Sequence, residues 1–272
     1  MNAHPLRPIL PAEHEAYERD GIVCLRKIFP CGWFGFLAGA IDRVMASSGI
    51  HAEEYARAGH GRFFGDIEMA MRIPEFRRFA MESPAAEIAG RLMRATQVNF
   101  FYDQLLVKEP GTEERTPWHQ DQPYWAVSGL QVCSLWLPID PVPEEVSPEY
   151  IRGSHTWPEF SPYHFADGTP YKDTGLPPLP KIEEERDRYP IVRFAMEAGD
   201  CLVFQAMIVH GAPGNKSAHR RRALSTRWTG DDARYCRRPG EVAIPTADPG
   251  LKQGDPLDSD RFPVVWRLAS SA

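Results

Sequence analysis

The hydrophobic period of this chain changes once, near residue 96, and that change limits the folds open to it. Before it, apolar residues recur at helical spacing. Phe36, Leu37, Ala40, Ile41, Val44 and Met45 mark one face of a helix over 32–47, and Phe76, Phe79, Ile88 and Leu92 a stripe on a second over 74–93. A short polar helix over 11–20, closed by Gly21, precedes a strand at 22–25. The segment 52–66 shows no clean period. After the change, strands punctuated by Pro and Gly are expected over 98–108, 131–139, 191–196, 201–209 and 221–228. Helices followed by strands with long connections imply a mainly β fold with flanking helices, a helical layer on a sandwich or jelly roll whose sites lie in the barrel mouth. One domain over 1–272 is expected. It has a helical layer at about 11–95, a jelly-roll core at about 96–230 and an irregular tail at 236–272. Phe262, Val264, Val265 and Trp266 make that tail apolar enough to pack back on the body. The Pro- and Gly-rich segment 140–190 is too long for a mere connector, and such loops often bind ligands or act as lids.

Charge and cysteine usage narrow the class. The 31 basic and 37 acidic residues leave a formal charge of −6, so neither nucleic acid nor an anionic membrane is expected as a partner. No stretch approaches the roughly 20 apolar residues of a membrane span. The five cysteines form no CxxC pair, and Cys133 and Cys201 sit in apolar runs. They read as small buried hydrophobes of a reducing compartment, so a soluble cytoplasmic chain with a small-molecule partner is expected.

The chemistry concentrates in Trp118-His119-Gln120-Asp121, in Val209-His210-Gly211 and in Arg221. A His and a carboxylate two residues apart, joined by a distant second His, form a 2-His-1-carboxylate ligand set with open positions, suited to Fe(II) and also to Zn(II) or Mn(II). On an extended segment His119 and Asp121 share a face and Gln120 points away, free to hydrogen-bond behind them. His210 is expected at the end of the strand over 201–209. The bland alternative is a surface HxD pair, and His155, opening the long segment, reads as structural. Along 221–228, Arg221, Ala223, Ser225 and Arg227 share one face. A guanidinium there binds a carboxylate in bidentate fashion. Six residues of strand separate Arg227 from Arg221 by about 20 Å, so one small anion is not expected to meet both. Arg221, nearer His210, is the expected clamp.

Around these residues the sequence resembles the phytanoyl-CoA dioxygenase family of Fe(II)/2-oxoglutarate oxygenases. The resemblance rests on residues 103–111 (DQLLVKEPG), 116–121 (TPWHQD), 133–136 (CSLW) and 152–155 (RGSH), and on His210-Gly211-Ala212 with Asn215 and Arg221; it runs from about residue 12 to 228. It implies a double-stranded β-helix, a cupin-like jelly roll, with Fe(II) on His119, Asp121 and His210. It also implies 2-oxoglutarate and O2 as co-substrates, with the far carboxylate of 2-oxoglutarate on Arg221. Trp136 matches a family position beside the co-substrate, and Gln104 and Lys108 are implied to line the same pocket. Without the family, Trp136 reads equally as a core aromatic, and Gln104 with Lys108 as a solvated face. Related halogenases carry a small residue in place of Asp121, so an oxygenase is implied, hydroxylating an unactivated C–H of a small, largely apolar metabolite. Desaturation or ring closure, a non-catalytic metal-binding jelly roll and a zinc hydrolase on the same ligands are the alternatives. Tyr124, Trp125, Phe63 and Phe64 are candidates for the substrate pocket, although Phe63 and Phe64 read equally as core. The chain departs from the family at Glu145 to Tyr150, where Pro148 stands in place of a small, Gly-containing segment.

Overall fold

Residues 1–47, 49–165 and 168–269 are described by a computed structural model; residues 166–167 of the long segment and 270–272 of the tail lie outside them. Helix α1 (Pro11–Asp20) closes on Gly21, whose φ of 76° suits the left-handed helix cap that lacks a Cβ. Helix α2 (Gly32–Ala46) presents Trp33, Leu37, Ala40, Ile41 and Val44 to the core. The expected helix over 74–93 is two, α3 (Pro74–Glu82) and α4 (Ala85–Met93). Pro84 is the reason: it forces Ser83 into extended backbone (φ −81°, ψ 165°), and the chain restarts at a new angle.

Fourteen strands follow among the described residues. They are β1 (Ile22–Leu25), β2 (Glu53–Glu54), β3 (Phe63–Ile67), β4 (Gln97–Lys108), β5 (Thr116–His119), β6 (Val127–Ser128) and β7 (Val132–Pro138). The chain continues through β8 (Glu149–Ile151), β9 (Ile191–Val192), β10 (Cys201–Gln205), β11 (His210–Ala212), β12 (Arg221–Thr229), β13 (Arg234–Tyr235) and β14 (Val264–Arg267). The major sheet runs β1-β10-β7-β12-β4-β3-β2, with β14 alongside the first residues of β4; the minor sheet runs β5-β11-β8-β9. These antiparallel sheets form the jelly roll. Segment 52–66 supplies β2 and β3, which the pattern hid because Phe63, Phe64, Gly65 and Asp66 are all buried and no polar alternation survives. The expected strand over 191–196 shortens to two residues, and the one over 201–209 breaks after Gln205. The chain then turns and begins β11 in the other sheet. The tail packs back as its apolar residues suggest: Phe262 is buried and β14 pairs with β4.

The two faces of the major sheet are chemically distinct. Cys133, Leu135 and Leu137 of β7 and Leu224 and Trp228 of β12 face the helices in the largest apolar cluster. Their alternates Ser134, Trp136, Arg221, Ser225 and Arg227 face the barrel interior. A β-bulge in β4 opposite Arg227 and Trp228 reverses this parity. Phe101 and Tyr102 both turn inward onto Trp125.

Buried Glu149 fastens the long segment to the minor sheet. Its carboxylate receives Arg115 at 2.8 Å, Arg186 at 2.7 Å and also Arg193. Burial alone would raise its pKa, but the bond to Arg186 and the three guanidinium charges hold it below the usual range. Glu149→Ala is expected to destabilise the fold by about 1–2 kcal/mol, because three partly exposed guanidiniums lose the carboxylate they share while water still reaches them. In the parent chain that contribution is present above the unfolded carboxylate pKa and is lost as pH falls through the depressed folded value. Chemical denaturation of both proteins at neutral and acid pH reads it: the gap should close in acid, and an equal gap at both pH values would count against it.

Candidate metal centre

The register of the minor sheet builds the site. His210 of β11 lies directly opposite His119 of β5, with ring centroids 4.2 Å apart. On its other side His210 pairs with Tyr150 of β8, and the two rings stack at 5.6 Å and 11°. Gly211 permits the close approach, since a Cβ there would lie 2.9 Å from the Thr116 carbonyl oxygen. Ser154 of the Arg152-Gly153-Ser154-His155 stretch holds the chain entering His210. Its hydroxyl accepts from the Val209 N–H at 2.8 Å and donates to the Ile151 carbonyl at 2.7 Å. His155 packs on Gly21, away from the site, consistent with a structural role. Asn215 also works as a brace, donating to the Lys108 carbonyl at 2.8 Å and the His219 carbonyl at 2.7 Å.

Asp121 reaches the same point by a different route from that expected. Strand β5 ends at His119, and Asp121 has helical backbone (φ −74°, ψ −46°) at the start of a short turn. Two bonds from the N–H groups of Asp121 and Gln122 to the Ala206 carbonyl set that turn. Gln120 does point away. It donates to the carbonyls of Pro158 and Met207 at 3.1 and 3.0 Å and accepts from the Phe160 N–H at 2.9 Å, tying three segments together behind the site.

The donor atoms are arranged for one ion. Ligand atoms of His119, Asp121 and His210 all lie within 4.8 Å of one another. Asp121 Oδ1 is 3.5 Å from His119 Nε2 and 3.9 Å from His210 Nε2, whereas ligands at about 2.1 Å from one ion stand roughly 3–4 Å apart. His119 Nδ1 faces the Pro117 carbonyl at 2.8 Å and His210 Nδ1 the Ile208 carbonyl at 3.0 Å. Each Nδ1 therefore carries the proton, and each Nε2 lone pair is free. Burial, then neighbouring His119, pushes the His210 pKa down to about 3, which keeps this imidazole neutral. Burial alone would raise the Asp121 pKa, but the Arg227 guanidinium, 3.9 Å from its Oδ2, helps hold it below the usual carboxylate range. Ser134 donates to Asp121 Oδ2 at 3.0 Å, so Oδ1 is the oxygen left free.

The interior beside this cluster is a cavity of about 60 Å³ whose walls include Gln104, Trp136, Tyr150, Phe204, Arg221 and Ser225. Arg221 is buried and donates to the Val146 carbonyl, with no carboxylate partner among the described residues. Burial brings its pKa down to about 10. Tyr150 OH and Ser225 Oγ are also buried without a hydrogen-bond partner.

Other expected residues fall differently. Lys108 pairs across the strands with Arg221 but does not line the cavity; its ammonium donates to the Glu114 and Pro213 carbonyls at 2.8 and 3.0 Å. Burial and the adjacent Arg221 push its pKa well down. Phe64 packs among the helices, and the pleat gives Phe63 the inward position. Pro148 stands in the cavity wall immediately before β8, which forms intact. Arg227 is within reach of the site after all. It lines the same cavity, donates to Gln104 Oε1 at 2.7 Å and stands 3.9 Å from Asp121 Oδ2. The rise along the strand overlooked two long side chains converging on one interior. Tyr124 and Trp125 line a second, outer cavity that also borders His119 and Asp121. Phe165, from the long segment, closes over His119 at 4.8 Å. Tyr150, Ser225 and Phe165 had no motif of their own in the sequence, and Ser134, although within the 133–136 stretch, carried no assigned role.

Known proteins share this fold. The ectoine dioxygenase of Sphingopyxis alaskensis is 24% identical over 221 residues, 76% of this chain and 72% of that protein. The non-heme alpha ketoglutarate dependent carbocyclase SnoK from nogalamycin biosynthesis superposes with a TM-score of 0.75 at 21% identity, over 98% of this chain and 99% of that one. The epimerase SnoN, in complex with Fe3+, alpha ketoglutarate and nogalamycin RO, superposes with a TM-score of 0.73 at 22% identity, over 94% and 98%. These likenesses show the fold. The sequence itself matches the family model of phytanoyl-CoA dioxygenase over residues 17–223, from within α1 into β12 and across all three clustered ligands, so this chain belongs to the phytanoyl-CoA dioxygenase (PhyH) family.

Proposed function

We propose that the chain is an Fe(II)- and 2-oxoglutarate-dependent dioxygenase that hydroxylates an unactivated C–H bond of a small, largely apolar metabolite, with O2 as its other co-substrate. One observation carries the reading. A buried guanidinium without a counter-ion, Arg221, lines the cavity whose wall also holds three convergent metal donors. A sensor or scaffold that only holds a metal has no use for such a cation, and neither has a zinc hydrolase. A dicarboxylate with one end on the metal supplies the missing charge.

His119, Asp121 and His210 would hold the iron, and Arg221 the far carboxylate of 2-oxoglutarate. Bound together, iron and 2-oxoglutarate would let O2 act as the four-electron oxidant, one oxygen atom going into succinate as CO2 is lost and the other into the substrate C–H bond. The chain's own residues do the positioning. The carbonyls of Pro117 and Ile208 fix both imidazoles, Ser134 fixes the carboxylate, and Phe165 shields His119 from water. Tyr150 lies close enough to both Asp121 and Arg221 for each charge to be felt at its hydroxyl. Tyr150 OH, Ser225 Oγ and Arg227 Nε, buried without a partner among the described residues, are available to co-substrate oxygens.

Support also comes from the ectoine dioxygenase relative and from the SnoN structure, which holds Fe3+ and alpha ketoglutarate. Hydroxylation as the outcome is the proposal's finer part, since one structural neighbour is described as a carbocyclase and another as an epimerase. The test is spectroscopic. Anaerobic Fe(II) protein should gain a weak visible charge-transfer band when 2-oxoglutarate is added. No band at saturating co-substrate would count against chelation and against the reading.

A further inference from the structure

Beyond the metal ligands the interior widens into the outer cavity, about 320 Å³, and its chemistry is not required by the metal. Tyr102, Tyr124, Trp125, Tyr163, Phe165 and Tyr171 wall it, and no Lys or Arg is among its lining residues. Glu53 of edge strand β2 lines it too. Glu53 is exposed at the cavity rim, hydrogen-bonds Tyr55 and has no Lys or Arg partner among the described residues, whereas Glu54, on the other side of the strand, pairs with Arg62 at 2.8 Å. Besides His119, two imidazoles line the wall: His164 stands 3.3 Å from Glu241, whereas His51, 3.9 Å from Glu68, meets a carboxylate already paired with Arg261. Burial, then Glu241 and Glu53, pushes the Tyr171 pKa up to about 12, so both carboxylates are felt at this wall.

The floor does not offset this bias. On the oxygenase reading, the metal's two charges, Asp121, Arg221 and a dianionic co-substrate cancel. Arg227 stays beneath Tyr102 and Trp125, its guanidinium carbon 4.7 and 5.9 Å from their ring centroids, tied to Gln104 at 2.7 Å and 3.9 Å from Asp121. Aromatic faces carry negative potential and attract cations, most strongly where water is excluded. An acyl-CoA phosphate or a free carboxylate would meet no cation here.

We propose that the outer cavity selects a substrate bearing a cationic nitrogen, held against the aromatic wall and Glu53 while a nearby C–H faces His119 and Asp121. The inference rests on the oxygenase reading and narrows its substrate class to amines with an apolar body. The probes are benzyltrimethylammonium, its neutral isostere neopentylbenzene, and the anion phenylacetate. Each is titrated by calorimetry into protein loaded anaerobically with Fe(II) and 2-oxoglutarate. The cation should bind about tenfold more tightly than the isostere, and phenylacetate should be weakest. Glu53→Gln should weaken cation binding by about threefold, and Glu54→Gln should leave it unchanged. Equal binding of cation and isostere, no binding of the cation, or indifference to Glu53→Gln would overturn the proposal. The visible co-substrate band in the same sample separates the two readings. A normal band without cation preference sinks only the substrate class; a missing band sinks the oxygenase.

Discussion

Replacing His119 with alanine is expected to yield a folded protein that holds no iron and consumes no 2-oxoglutarate, and Asp121→Ala should do the same. The expectation follows from how little redundancy surrounds the cluster. Among the described residues, these two and His210 form the single group of His, Cys, Asp or Glu side chains convergent enough for an ion. Each donor is oriented by one partner, so no neighbour can swing in as a substitute. Loss of an outer hydrogen bond to a metal ligand costs about 10–100-fold in metal affinity, and loss of the ligand itself should cost more than about 100-fold. Folding should survive, because the cluster adds burial cost to the apo protein: two imidazoles and a carboxylate sit in a dry interior. The measurement is metal content after anaerobic reconstitution, with thermal unfolding as the folding control. Iron retained at one equivalent in either variant would remove that residue from the ligand set.

The ligands were legible in the sequence because they lie at the ends of short extended segments, where side-chain spacing survives into the fold. His119, Asp121 and His210 do converge, and Gln120 does turn away, although Asp121 arrives through a turn and not by strand alternation. Trp136 faces the interior because the pleat of β7 sends Cys133, Leu135 and Leu137 to the helices. What stayed hidden depends on contacts between distant segments. Tyr150 matters only because β8 pairs with β11 in one register, and Ser225 only because no other group reaches its hydroxyl. The choice between Phe63 and Phe64 turned on a strand that a fully buried segment conceals. The break between α3 and α4 did have a local signal, Pro84, which the apolar stripe outweighed. The bulge in β4 had none, yet it sets Tyr102 and Trp125 together above Arg227.

Distance along β12 first favoured Arg221 over Arg227 as the carboxylate clamp. The structure supplies a better criterion, since both arginines reach the cavity and differ in what already holds them. Arg227 is engaged by Gln104 Oε1 at 2.7 Å, by the Ser225 carbonyl at 2.9 Å and by Asp121 at 3.9 Å. Arg221 donates to the Val146 carbonyl but has no carboxylate partner among the described residues, and it borders Tyr150, whose hydroxyl is unpaired; Arg227, although its Nε is unpartnered, already has a carboxylate beside it. Arg221→Ala should therefore raise the KM for 2-oxoglutarate by roughly 30- to 5000-fold, the range for truncating one partner of a buried, hydrogen-bonded charge pair, about 2–5 kcal/mol. Iron content should stay at the parent level, because Arg221 touches no ligand. Arg221→Lys should recover only part of the loss, since an ammonium keeps the charge but not the planar bidentate fork. Arg227→Ala should behave differently. It removes a neighbour of Asp121 and is expected to lower metal affinity about tenfold or more while the KM at saturating iron stays near the parent value. Steady-state kinetics with varied 2-oxoglutarate, paired with iron titrations, separate the two. An unchanged KM in Arg221→Ala alongside a raised KM in Arg227→Ala would move the clamp to Arg227, with the 2-oxo acid end of the co-substrate still on the metal.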